Sequence, residues 1–177
     1  MVSIIQRERQ KYLAQNELWF RNSIRTLKTI EQRFQRIAEL ADQFDKLDRA
    51  GFGKGSKATG VLKECILLLT DIKRIGAQLA GLFQREFEAI VELLPEEMVS
   101  LLSNKSHEIE KATNTNFLLD YFDSLQKRAE GSNSNHTIEK SRLTAKLALV
   151  KNLILDLDFK EHFIRKQKIL TQQVLGN

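Results

Sequence analysis

The side chains here with the richest chemistry are three histidines and one cysteine, and their spacing assembles no catalytic or metal centre. His107, His136 and His162 each lack a glutamate three residues earlier, so the Glu-x-x-His pair of carboxylate di-iron bundles is missing. His107-Glu108 is not followed by the second histidine of H-E-x-x-H. Asp156, Asp158, Glu161 and His162 are close in sequence, but at helical spacing they fan around the axis instead of converging. Cys65 falls within an apolar stripe and reads as a core thiol. Gly51 to Thr59 superficially resembles a phosphate loop. However, Gly53-Lys54 is followed by Gly55, residue 48 is aspartate where that loop needs glycine, and no strand precedes it. The expectation is a protein that is not an enzyme, with no catalytic residue, metal site, cofactor or small-molecule substrate.

The chemistry that remains is that of positive charge. Arg21, Arg25 and Lys28 share one helical face, continued by Gln32 and Gln35. Lys63, Arg74 and Arg85 recur every 11 residues, a spacing that returns to one face. Arg165, Lys166 and Lys168 cluster near the C-terminus beside Lys160, and the glycine-rich stretch adds Lys54 and Lys57. Charges at intervals along a rigid surface are what a phosphate backbone requires. The net charge is +5, and it is segregated. Residues 1–36 carry eight basic against three acidic side chains, 54–85 six against two, and 131–177 eight against four, whereas 86–130 carry four against ten. The competing reading is that these are solvated helix faces, charged for solubility. Tyr12, Trp19 and Phe20 interleave with Arg7, Arg9, Lys11 and Arg21. They suit base stacking in principle, but packing is the preferred reading, with Phe20 in the core.

Helices must position these charges. Leu13, Phe20, Leu27, Phe34 and Ala41 recur every seven residues, with Ile24, Ile30, Ile37 and Phe44 beside them. Such a stripe predicts a helix over residues 3–49 that packs along its whole length. A second stripe, Leu62, Cys65, Leu69, Ile72, Leu79, Phe83, Phe87, Ile90 and Leu94, predicts a helix over 61–94. It contains Gly76 and Gly81, for which close approach of a neighbouring helix is the expected reason. Pro95-Glu96-Glu97 reads as a helix start, giving a third helix over 96–130. Its Ser-, Asn- and Thr-rich stretch 103–116 is the place for a kink or break, before Leu118, Phe122, Leu125 and Ala129 resume the period. Leu143, Val150, Leu157 and Ile164, with Leu147 and Ile154, predict a last helix over 138–175, with Gly176 as its stop. Loops are expected at 50–60, which holds four glycines, and at 131–137. No useful strand alternation appears. The fold class is therefore all-α: one domain over 1–177, an elongated up-down-up-down four-helix bundle.

Composition agrees with long helices: 42% apolar and 29% charged residues rule out default disorder, and a single proline leaves few forced breaks. One cysteine excludes an intrachain disulfide. Residues 1–10 lack the apolar centre of a secretion signal, and the longest apolar run, Cys65 to Leu69, is far too short for a membrane span. A cytoplasmic location is the expectation. In size, helicity and basic charge the whole chain is similar to the small helical subunits of multi-protein CRISPR effector complexes. That likeness implies an accessory subunit that follows a DNA or RNA backbone without reading sequence. Two other functions compete. One is a coiled-coil scaffold or adaptor binding protein subunits or itself. The other is peripheral membrane binding by a basic last helix, ranked last because that helix owes its apolar face to the core.

Overall fold

The computed structural model describes residues 4–90, 104–127 and 140–176. The expected helix start at Pro95-Glu96-Glu97, the loop 131–137 and the stripe residues Leu94 and Ala129 lie outside them, as do the side chains of Tyr12, Phe87 and Ile90. The described residues form α1 (Ile4–Arg49), α2 (Ser56–Ile90), α3 (Lys105–Thr113), α4 (Asn116–Gln126) and α5 (Lys140–Gly176), with no strand among them. The protein is an all-α bundle of four arms, the third made of α3 and α4. At 1.5 Å per residue, the 46 residues of α1 extend about 69 Å.

The arms alternate in direction. Arg36 meets Glu64, Arg33 meets Asp71 and Trp19 stacks on Phe83, so α1 and α2 run antiparallel. The Thr115 hydroxyl reaches the Leu69 carbonyl and Ser106 reaches Ala80, which sets the third arm antiparallel to α2. Lys140 beside Asp42 and Arg165 beside Glu17 bring α5 back antiparallel to α1. Packing runs α1 on α2 and α5, α2 on α3 and α4, and α3 on α5, closing the ring. The heptad residues Leu13, Phe20, Leu27, Phe34 and Ala41 are all buried, as are Leu62, Cys65, Leu69, Ile72, Leu143, Val150, Leu157 and Ile164. Each fully buried large side chain contributes about 1.5–3 kcal/mol over an exposed one.

α1 ends by a Schellman motif. The Phe52 amide donates to the Leu47 carbonyl (2.7 Å) and the Gly51 amide to that of Asp48 (3.1 Å), with Gly51 at φ +87°. Glycine takes this left-handed conformation without steric cost. The expected loop 50–60 is too long: α2 begins at Ser56 and so contains Lys57 and Gly60. Ala58, fully buried one turn before Leu62, extends the apolar stripe back into the glycine-rich stretch, and Gly60 faces outward where a missing side chain costs little packing.

Gly76 is present because α3 crosses there: a Cβ would lie 1.9 Å from Thr113 Oγ1. Gly81 meets nothing within 4 Å among the described residues, so close approach does not explain it. The third arm breaks at Asn114-Thr115, inside the expected 103–116 interval. Asn114 is extended (ψ 109°), and its Oδ1 accepts from the Asn116 amide at 3.1 Å, a local turn that satisfies the first amide of α4. Thr115 is fully buried and its hydroxyl donates to α2 (2.9 Å).

Candidate nucleic-acid interface

Three of the candidate cations are drawn together, and acids hold them. On adjoining faces of α1 and α5, Glu17 and Glu161 sit beneath Arg21, Arg165 and Lys168. Arg21 reaches Glu17 (3.1 Å) and Glu161 (3.2 Å), Arg165 reaches Glu17 (3.1 Å) and Glu161 (2.8 Å), and Lys168 reaches Glu17 (3.0 Å). Burial opposes ionisation of Glu17, but hydrogen bonds and charge from Lys168 and Arg165 outweigh it and hold its carboxyl below the usual carboxylate range. With three cations on two carboxylates, the network is an α1–α5 clamp whose excess is a single positive charge.

The other candidates point outward. Arg25, Lys28, Lys57, Lys63, Arg85 and Lys166 are exposed, and none makes an ion pair among the described residues. Arg25 and Lys28 follow Arg21 along the outer side of α1, while Lys63, Arg74 and Arg85 are all exposed along α2. Arg74 is held by Asp71, which also pairs with Arg33. Lys54 is exposed in the connection between α1 and α2. Between the two basic faces runs the α1–α2 seam, carrying the Arg33–Asp71 and Arg36–Glu64 pairs. The eleven cations are thus distributed over neighbouring faces of a rigid rod, not gathered into one groove.

Trp19 packs between Phe20 (centroids 4.7 Å) and Phe83 (4.3 Å), the packing arrangement expected for it. Cys65 is fully buried, and burial pushes its thiol up to about 12. The four groups between residues 156 and 162 fan out as expected: Asp156 turns to Lys105 and Lys160, Glu161 to the clamp, and His162 lies 3.8 Å from Asp158. Lys160, expected in a basic surface cluster, is instead fully buried, its amine paired with Asp156. Burial and the neighbouring Lys105 depress the ammonium form of Lys160 against the pull of Asp156.

A second group of cations surrounds the α3–α4 break. Lys73 and Lys111 line one open groove of about 480 Å³, Arg142 and Lys146 line an adjoining one of about 410 Å³, and both grooves share Asn114 and Asn116. None of these four cations stood out in the sequence, because they come from three separate helices. The only local signal is the Asn-Thr-Asn run that breaks the arm. No group of three or more His, Cys, Asp or Glu among the described residues is placed to hold a metal, and no described helix is long and apolar enough to cross a membrane. No protein-family model matches this chain, nor does any curated protein or solved structure.

Proposed function

We propose that the chain is a non-catalytic accessory subunit that binds a nucleic-acid backbone, without sequence specificity, inside a larger assembly such as a CRISPR-type ribonucleoprotein effector. The observation that carries this reading is the set of exposed cations on long rigid helices with no carboxylate partner among the described residues: Arg25 and Lys28 on α1, Lys63 and Arg85 on α2. Ion-paired surface cations add solubility at little electrostatic cost, whereas unpaired ones present charge to an incoming polyanion. DNA and RNA backbones meet this requirement equally.

Fluorescence anisotropy with a labelled single-stranded oligonucleotide over a salt series tests the reading. The Arg25→Glu/Lys28→Glu protein is the informative variant, because Arg21 also holds the clamp together. Its affinity is expected to fall by at least about tenfold, with the log–log salt slope shallower by about 1.4 for two lost contacts to a single strand. Wild-type affinity and slope in that variant refute the proposal.

A second reading, a protein-binding scaffold, is supported by the outer side of α5. Leu155, Phe159, Ile169, Leu170 and Val174 are 47–69% exposed there, and a row of exposed apolar side chains is characteristic of helix-on-helix docking. A concentration-dependent mass in light scattering, abolished by Leu155→Glu/Phe159→Glu, supports that reading. A mass that stays monomeric at all concentrations counts against self-association.

A further inference from the structure

Among the described residues, buried and half-buried lysines come with carboxylates, with one exception. Lys105 is 7% exposed and lies against Asp156 and Glu108, and Lys160, 1% exposed, shares Asp156. Lys146 is half-buried at the α3–α4 break, and among the described residues no carboxylate lies within ion-pair distance of it. Its Nζ donates to the Lys111 carbonyl at 2.6 Å, in the last turn of α3, where a cation suits the helix dipole. That contact leaves two ammonium hydrogens unassigned. Its charged neighbours are the side chains of Lys111 and Arg142; burial first, and then these two like charges, disfavour its ammonium form. Of the residues lining the two adjoining grooves, Glu110 is the sole acid, against Lys73, Lys111, Arg142 and Lys146. A half-buried amine among cations is a standing cost to the fold, and a bound anion relieves it.

The groove also offers a flat surface. The Arg142 guanidinium lies 3.5 Å from the Phe117 ring centroid, and Phe117 is 48% exposed. Asn114 and Asn116 line the same opening. Cations beside a partly exposed aromatic are the parts with which proteins hold a strand, phosphate on charge and base on ring.

We propose that the notch at the α3–α4 break is a phosphodiester-binding subsite for a nucleic-acid strand, with Lys146, Lys111 and Arg142 around the phosphate and Phe117 under a base. This subsite rests on the nucleic-acid reading above and names a place for it away from α1. The test uses the full chain with a labelled single-stranded oligonucleotide, and inorganic phosphate as the second probe. Lys146→Gln keeps a donor for the Lys111 carbonyl, and Lys111→Ala leaves that backbone acceptor in place, so both are expected to fold. Each is expected to weaken oligonucleotide binding and to flatten its log–log salt slope by about 0.7. Phe117→Leu is expected to weaken oligonucleotide binding by roughly five- to hundred-fold and to weaken phosphate binding far less, only through the Arg142 that rests on the ring. Saturating wild-type protein with oligonucleotide raises the pKa of the Lys146 amine, read by NMR of its side-chain carbons. If the oligonucleotide binds but Lys146→Gln binds as well as wild type and the Lys146 signals do not respond, the subsite is wrong while the α1 interface stands. Phosphate bound at Lys146 with no oligonucleotide binding overturns the strand assignment, and no binding of either probe at low salt overturns both readings.

Discussion

Replacing Gly76 with alanine tests the helix crossing that sets the third arm, and with it the Asn114-Thr115 break. A Cβ at residue 76 would lie 1.9 Å from Thr113 Oγ1 and 2.2 Å from Thr113 Cβ. The second distance decides the outcome: turning the threonine about χ1 moves Oγ1 but not Cβ, so no rotamer removes the clash. α3 must move away by well over an ångström, yet Thr115 ties the break to the Leu69 carbonyl at 2.9 Å. Overpacking of this kind costs about 1–3 kcal/mol, and loosening the buried Thr115 hydrogen bond adds about 1 kcal/mol. Alanine's better helix propensity returns about 1 kcal/mol, so the expected net loss is about 1–3 kcal/mol. Gly81→Ala is the matched control, since nothing described lies within 4 Å of its Cβ position. There only the propensity gain operates, and stability is expected to rise by up to about 1 kcal/mol. Urea unfolding followed by far-ultraviolet circular dichroism reads both variants against wild type. Changes of the same sign in the two variants refute the close crossing.

The α1–α5 clamp makes stability depend on pH. The Glu17 carboxyl sits below its ordinary value of 4.5 in the folded chain, so its contribution is fully present above about pH 4.5 and is lost as pH falls through the depressed value. Glu17→Gln is expected to flatten the acid limb of a stability–pH profile, and an unchanged limb argues against the clamp. Charge reversal separates structural from free cations. Arg21→Glu sets a third acid against Glu17 and Glu161 and is expected to destabilise by about 1–3 kcal/mol, whereas Arg25→Glu stays within about 0.5 kcal/mol of wild type; equal unfolding midpoints for the two contradict this division. The Cys65 thiol, fully buried and pushed up to about 12, is expected to resist alkylation near neutral pH until the chain unfolds; prompt labelling of the native protein rules out its core placement.

The parts of the fold that were legible in the sequence are those written in local spacing. The seven-residue repeat from Leu13 to Ala41 and the stripes through Cys65 and Val150 predict faces that are buried wherever their side chains are described, with Leu147 half-buried. A helix face is set by neighbours three and four residues away, so no long-range knowledge is needed to find it. Gly51 marked the end of α1 for the same reason, because a left-handed C-cap is a one-residue requirement. Glycine count alone puts the start of α2 too late, because it carries no information on which way each residue faces: Ala58 is in the core and Gly60 looks outward. The outer row on α5 is hidden in the sequence for a related reason. A period that locates the inner stripe leaves Leu155 and Phe159, on the opposite side, looking like part of the same apolar helix.

The candidate site was less legible because a charge is defined by its partners, and those lie far away in sequence. Arg21, Arg25 and Lys28 are equivalent on a helical wheel. Packing α5 against α1 separates them: Glu161, 140 residues from Arg21, binds it, whereas no acid reaches Arg25 or Lys28 among the described residues. The same packing removes Lys160 from the surface cluster into the core, where Asp156 receives it. At the α3–α4 break it does the reverse, gathering Lys73, Lys111, Arg142 and Lys146 from three helices with Glu110 alone among the groove-lining acids. Net charge measures the attraction of a polyanion for the whole rod, but local neutralisation sets where it rests. Under the proposed function, a strand drawn by the overall +5 therefore gains least over the Glu17–Glu161 clamp. Under that function it gains most along Arg25 and Lys28 and at Lys146, three cations that no carboxylate reaches among the described residues.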